Sequence, residues 1–267
     1  MTLAPPMNRL CLAPRDGAPR ISPLLVKLTR IAFQRSLRRH FHAVRLLGPA
    51  PRLAEDAPLL IFLNHASWWD PGTCVLLAQR FFPERRHFAP MDAVAATRYR
   101  FLQKIGLFPV EAGTRAGAAA FLRTGQAVLT GGGVLWVTPQ GRFSDARQRP
   151  AALRPGVSHF ARRIPGLMCV PLAIEYTFWN QRLPEVLLTF GQTLQATGDG
   201  RDDLSAFEVA LQSAQNRLAT AARQRDPALF QTLLAGRGGT HPVYDAFRKC
   251  TAIFRRRSLE LRQSESP

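Results

Sequence analysis

From Pro58 onward the chain alternates between short apolar runs and stretches with helical spacing, and this alternation limits its fold more than any other feature. The runs Pro58 to Leu63, Arg86 to Ala89, Leu107 to Val110, Gly133 to Thr138, Leu167 to Ile174 and Val186 to Phe190 read as strands. Helical stretches fall between them, at about Pro71 to Phe82, Met91 to Lys104, Thr114 to Thr130 and Pro155 to Arg163. Such order predicts a single α/β domain with a mixed, largely parallel sheet flanked by helices. After Gly191 no further strand is expected. A helix begins at Asp202 or Asp203 and runs to about Arg223, a second spans Pro227 to Leu234, and Tyr244 to Leu261 is basic and weakly amphipathic before a frayed end.

Ahead of the first strand, Ile21 to Leu47 carries Leu24, Leu28 and Ile31, then Phe33, Leu37, Phe41 and Val44, interleaved with Lys27, Arg30, Arg35, Arg38, Arg39 and Arg45. This is the pattern of a basic amphipathic helix. It fits a helix packed on the domain with a solvated basic face, a helix lying in a membrane interface, or both at once. The expected division is a flexible leader at 1–20, an amphipathic membrane-associating helix at 21–50, a core at 51–195 and a helical C-terminal extension with a frayed tail at 196–267.

The leader is proline-rich and has no apolar h-region, and the longest apolar stretches, such as Leu59 to Leu63, are far too short to cross a bilayer. A protein held peripherally at the cytoplasmic face of the cell membrane is the expectation. Thirty-six basic residues oppose eighteen acidic ones, a formal +18, so the partner expected is a polyanion. Charge alone does not choose between nucleic acid and an anionic membrane surface. Zinc-finger spacing, basic-region heptads and paired aromatic strand motifs are absent, which argues against nucleic acid. The four cysteines, Cys11, Cys74, Cys169 and Cys250, lie far apart, as isolated thiols do, and form no metal-binding pattern.

Chemistry is expected in the turn after the first strand, Asn64-His65-Ala66-Ser67-Trp68-Trp69-Asp70-Pro71, because open α/β sheets hold their ligands beyond the carboxyl ends of strands. An imidazole takes a proton from an alcohol when its other nitrogen is held as a donor, and a nearby carboxylate supplies that hold. His65 and Asp70 can meet across such a turn. By spacing alone Asp70 is equally a cap on the following helix, and Trp68 and Trp69 are equally core residues, channel lining or interfacial anchors.

Asn-His-Ala-Ser-Trp-Trp-Asp resembles the NHxxxxD box of the glycerolipid and lysophospholipid acyltransferase family, and further blocks follow in that family's order. Ile105 to Glu111, with Gly106 and Phe108, is similar to its second block. Val137-Thr138-Pro139-Gln140-Gly141-Arg142-Phe143-Ser144 resembles its third, Pro-Glu-Gly-Thr-Arg-Ser, and Cys169 to Ala173 its fourth. The resemblance covers roughly Pro58 to Gly191. It implies transfer of a fatty acyl group from an acyl-thioester, coenzyme A or acyl carrier protein as co-substrate, to a lipid hydroxyl, with neither metal nor cofactor and with no covalent acyl-enzyme. His65 would be the base and Asp70 its orienting partner. Asn64, Gly106, Phe108, Pro139, Gln140, Gly141, Arg142, Ser144 and Arg115 would bind substrate, with Gln140 and the Gly141 backbone as oxyanion donors.

Departures from the family pattern narrow the acceptor. The two arginines that close the second and third blocks, and that the resemblance assigns to a lysophosphatidate phosphate, are here Glu111 and Phe143. A carboxylate repels phosphate and a phenyl ring offers it no hydrogen bond, so an acceptor without that phosphate is expected unless Arg142 or Arg115 compensates. Gln140 in place of glutamate also leaves open a lipid-binding relative without activity. Other chemistries fit less well. Gly156-Val157-Ser158-His159-Phe160 lacks the closing glycine of a nucleophile elbow, and Gly131 to Gly133 precedes no Gly-Lys-Ser/Thr.

Overall fold

The computed structural model describes residues 18–54, 56–196 and 200–237. The leader before residue 18 and the Tyr244 to Leu261 stretch lie outside them. Nine strands are formed among the described residues: β1 Ala43–Leu47, β2 Leu59–Leu63, β3 His87–Asp92, β4 Leu107–Val110, β5 Val134–Val137, β6 Met168–Thr177, β7 Glu185–Phe190, β8 Leu194–Gln195 and β9 Phe230–Ala235. They make one mixed sheet in the order β4-β3-β5-β2-β6-β7-β1-β9, with β8 paired to β6. Helix α1 (Pro23–His40) and α2 (Asp70–Phe81) cover one face, and α4 (Arg115–Thr130), α5 (Gly156–Arg163) and α6 (Gly200–Gln224) the other; α3 (Ala93–Arg98) is a short turn beside β4. Two apolar cores result because alternate side chains of each strand point to opposite faces: Leu59, Ile61 and Leu63 toward α1 and α2, Leu60 and Phe62 toward α5 and α6.

Four expectations from the sequence are corrected. The helix expected over Ile21 to Leu47 stops at His40, and Ala43–Leu47 is instead a strand parallel to β7 and antiparallel to β9. The reason is Arg45. Its side chain is buried, with Nε on Glu185 Oε2 at 3.0 Å, Nη1 on Thr232 Oγ1 at 2.8 Å and the guanidinium 5.8 Å from the Trp179 ring, so a residue that pattern assigns to a solvated face is paired inside the fold. The helix expected over Met91 to Lys104 is cut in two. β3 runs on to Asp92, whose carboxylate caps Ala93–Arg98, and Tyr99 then leaves helical geometry before a 3₁₀ turn over Arg100–Ile105. Strands do not stop at Gly191, since β8 and β9 follow. The second helix expected over Pro227 to Leu234 is a 3₁₀ turn at Pro227–Leu229 and then β9, which buries Phe230 and Leu234 at the sheet edge. β1 and β9 thus lie outside the 51–195 core drawn from sequence yet belong to its sheet.

β6 sets the place of the site. Its first half, Met168 to Leu172, pairs in parallel with β2, and its second half, Leu172 to Thr177, pairs with antiparallel β7. β2 ends at Leu63 while β6 runs on, so the residues after Leu63 emerge beside an overhanging strand.

A second fixed point is His87. Its Nε2–H donates to the Phe82 carbonyl at 3.0 Å and its Nδ1 accepts the Trp136 indole N–H at 3.1 Å, and enclosure pushes its pKa down to about 4. The same segment explains Gly106, which has φ +105° and whose missing Cβ would collide with the His87 carbonyl oxygen. Because the unfolded imidazole titrates near 6.5, the unfolded chain binds a proton between about pH 6.5 and 4 that the folded chain refuses, and stability falls as pH drops through that window. The slope from this group is at most about 1.4 kcal/mol per pH unit. Urea unfolding at pH 7 and pH 5 should show that loss, and His87→Asn, which keeps an acceptor for Trp136 and cannot titrate, should reduce it.

Candidate active site

Asn64 is the first residue past β2. Its buried side chain donates Nδ2–H to the Ile174 carbonyl and accepts the Ile174 N–H at Oδ1, both at 2.9 Å, so an amide side chain imitates one more residue of strand pairing with β6. His65 is thereby held just past the carboxyl end of a central strand. Its N–H donates to Gln140 Oε1 at 2.9 Å, and its carbonyl accepts the Ser144 N–H at 2.8 Å. The turn after β5 therefore clasps the histidine backbone from both sides.

Asp70 opens α2 and is 2% exposed. It does not cap the helix: the cap position is Trp69, which makes no side-chain cap bond. Instead Oδ2 accepts from His65 Nδ1 at 2.7 Å and from the Ser67 N–H at 3.1 Å, while Oδ1 accepts the Tyr176 hydroxyl at 2.7 Å. A carboxylate only accepts, so the shared proton sits on His65 Nδ1 and leaves Nε2 with its lone pair outward. The His65 side chain is 22% exposed. The imidazole thus has Nδ1 tied to a buried carboxylate and an Nε2 that makes no hydrogen bond among the described residues, the arrangement that proton transfer from a hydroxyl requires.

Neighbouring nucleophiles are quenched. Burial and the Asp70 carboxylate push the Cys74 thiol up, so it stays protonated, and the same two causes, burial first, push the Tyr176 phenol far above its ordinary value, so that it stays protonated and donates to Asp70. Ser158, from the elbow-like sequence, is buried in α5 and donates to the Pro155 carbonyl at 2.8 Å. Among the described residues there is no group of three or more His, Cys, Asp or Glu side chains able to hold a metal.

The two tryptophans divide. Trp69 is partly buried, with its ring 5.0 Å from those of His40 and Phe41, whereas Trp68 is 83% exposed. Phe143 lies over the His65 imidazole with ring centroids 4.1 Å apart and meets Trp68 at 5.5 Å. An aromatic face therefore fills one flank of the imidazole.

Other residues singled out in the sequence take separate places. Asn64, Gln140 and Ser144 touch the His65 backbone or its strand. Pro139 is buried and its carbonyl accepts the Arg154 N–H at 2.9 Å; Gly141 makes the turn at φ +66°; Arg142 is exposed on the far side of that turn. Gly106, Phe108 and Arg115 are not joined to His65 by any contact among the described residues. Phe108 is buried and stacks on Phe121, and Arg115 is exposed at the start of α4. Glu111 precedes α4, where its carbonyl and carboxylate accept from Thr114 Oγ1. Tyr176 was not legible in the sequence, since nothing local to it differs from an ordinary strand tyrosine. Only the overhang of β6 brings it to Asp70.

Comparison with known proteins gives the family. A family model described as Acyltransferase matches residues 34–175, more than half of the chain. Among solved structures the chain is similar to the 1-acyl-sn-glycerophosphate (LPA) acyltransferase PlsC from Thermotoga maritima, at 13% sequence identity and a TM-score of 0.50, with 74% of this chain and 78% of that one covered. At that identity the likeness speaks for the fold. No curated protein matches the sequence. With an α/β sheet that presents the Asn64 to Asp70 box at a strand end, and with that family match, the chain belongs to the acyltransferase family.

Proposed function

We propose that this protein transfers a fatty acyl group from an acyl-thioester, coenzyme A or acyl carrier protein, to a hydroxyl of a membrane lipid, with His65 as general base. The observation that carries the reading is the 2.7 Å contact between His65 Nδ1 and the buried Asp70 carboxylate, with Nε2 left free. In this mechanism Nε2 takes the acceptor's proton as its oxygen attacks the thioester carbonyl, and Asp70 stabilises the imidazolium. The tetrahedral oxyanion is met by the Gln140 Nε2–H, its oxygen being already committed to His65; the Gly141 N–H, expected from the sequence as a second donor, is instead bonded to the Thr138 carbonyl at 2.9 Å. Collapse then expels the thiolate, which recovers the proton from His65.

The acceptor in this reading bears no phosphate beside the base, because Phe143 covers that flank of His65 and Glu111 offers only a carboxylate. A second reading, lysophosphatidate as acceptor, is favoured by the likeness to PlsC, which carries that activity in its name. The membrane surface in this reading is anionic. In support, α1 splits its apolar stripe: Leu37 is buried and Phe33 lies against Gly72 of α2, whereas Leu24, Leu28 and Ile31 face outward with Lys27, Arg35 and Arg38 also exposed. Phe101, on the 3₁₀ turn that packs beside α1, is exposed as well. No helix among the described residues is long and apolar enough to cross a membrane.

His65→Ala should fold normally and lose roughly 10²-fold or more of kcat, the usual share of a general base, in a radiolabelled acyl-coenzyme A assay. Wild-type turnover in the folded variant would refute the mechanism. In the same assay, phosphate-free lyso-lipids should outrun lysophosphatidate, and Phe143→Arg should raise the lysophosphatidate rate about tenfold, the worth of one added charge-assisted contact; a wild type that prefers lysophosphatidate would decide for the second reading. Vesicles containing phosphatidylglycerol should bring the protein down on sedimentation, less so at high salt, and the Leu24→Glu, Leu28→Glu pair should leave it in the supernatant.

A further inference from the structure

The turn that clasps His65 has a second side. Phe143 meets the imidazole, while its neighbour Arg142 lines a cleft of about 300 Å3 whose polar wall is Gln140, Arg142, Ser144, Gln148 and Arg154, with no acidic residue in the lining. Neither the Arg142 nor the Arg154 guanidinium makes a hydrogen bond or ion pair among the described residues. The other arginines of this loop are engaged: Arg147 grips Asp145 with Nη2 to Oδ2 at 3.0 Å, and Arg149 donates to Asn216 Oδ1 and the Ala146 carbonyl, each at 2.8 Å.

The cleft is built into the catalytic turn. The Arg154 N–H bonds the Pro139 carbonyl, and its guanidinium lies over Gly141, where a Cβ would come within 2.7 Å of it. Two unpaired cations facing one cleft repel each other, and a group with several anionic oxygens is what removes that repulsion and accepts from both. Hydroxyl and amide donors at Ser144 and Gln148 complete such a set. Gln140 is shared, because the side chain that lines this cleft also accepts the His65 N–H at 2.9 Å.

The geometry points to a subsite for a phosphate ester of a substrate, held between Arg142 and Arg154 and joined to the base through Gln140. Its assignment to a substrate rests on the acyl-transfer reading above. Two sources carry this chemistry, the phosphates of the thioester donor and a phosphate on the acceptor; with Phe143 against the base, the donor is the expected one.

Inorganic pyrophosphate is the direct probe, titrated calorimetrically at low salt into wild type, His65→Ala, the Arg142→Ala, Arg154→Ala double variant and Arg123→Ala, an exposed arginine on α4. Wild type, His65→Ala and Arg123→Ala should bind alike, and the double variant at least tenfold more weakly. His65→Ala keeps this arm readable even if acyl transfer is the wrong chemistry. Equal binding by the double variant, or an equal loss in Arg123→Ala, overturns the inference, and Arg154→Gln repeats the test with less change in shape. In turnover, the double variant should raise KM for acyl-coenzyme A at least tenfold and leave KM for the N-acetylcysteamine thioester, which has no phosphate, unchanged. A rise in KM for lysophosphatidate instead would keep the subsite, assign it to the acceptor and overturn the acceptor reading. Equal rises for both thioesters with pyrophosphate binding unchanged would leave no phosphate subsite.

Discussion

At Asp70 a carboxylate is taken out of water with no Lys or Arg paired to it among the described residues, and the rest of the site is arranged around that fact. A buried carboxylate without compensating donors is costly. Here three donors meet it: the His65 imidazole, the Ser67 N–H and the Tyr176 hydroxyl. Each comes from a different level of the fold, namely the strand end, the tight turn and the overhanging half of β6. The start of α2 adds the positive end of a helix dipole. Removing Tyr176 or shifting β6 would leave part of the carboxylate unsatisfied, so the sheet topology and the His65–Asp70 geometry are one constraint. The same donors fix which nitrogen of His65 bears the proton. That is the state in which an imidazole can take a proton from a hydroxyl.

The turn after β5 does two things at once. Through Gln140 and Ser144 it fixes the His65 backbone, and through Phe143 it covers one flank of the ring. A glutamine at position 140 keeps the amide oxygen needed as acceptor for the His65 N–H, and supplies an N–H pair that a glutamate lacks. Phenylalanine at 143 shields the His65 ring from water on one side, which strengthens its hydrogen bond to Asp70. The one-residue offset between Phe143 and Arg142 then sends the positive charge of this segment to the other side of the turn, toward Arg154.

Much of this was legible in the sequence, and the parts that were not share a physical cause. The central strands, the box from Asn64 to Asp70 and the turn at Pro139 to Ser144 announce themselves through local pattern: apolar runs, punctuating glycine and proline, and polar residues at strand ends. Long-range pairing left no local mark. Ala43–Leu47 carries an arginine in a run otherwise suited to either helix or strand, and only Glu185, far along the chain, makes Arg45 a core residue. Pro227 to Ala235 has helical composition, yet the open edge of β1 claims it as a strand. Tyr176 and Arg154 were missed for the same reason, since their partners Asp70 and Gly141 are brought to them by the sheet and the loop. Trp68 and Trp69, adjacent in the turn that leads into α2, end as an exposed ring and a packed one, because only Trp69 meets His40 and Phe41.

The central claim is that Asp70 acts on the acceptor only through His65, and kinetics of Asp70→Asn test it most directly. Asparagine keeps the size of the side chain and can still accept a hydrogen bond, but it cannot stabilise an imidazolium or hold the proton on Nδ1 with the same strength. With the fold confirmed by circular dichroism, kcat should fall by about 10²- to 10⁴-fold while KM for donor and acceptor changes little. A variant that turns over within a few-fold of wild type, or whose loss lies wholly in KM, would contradict the account.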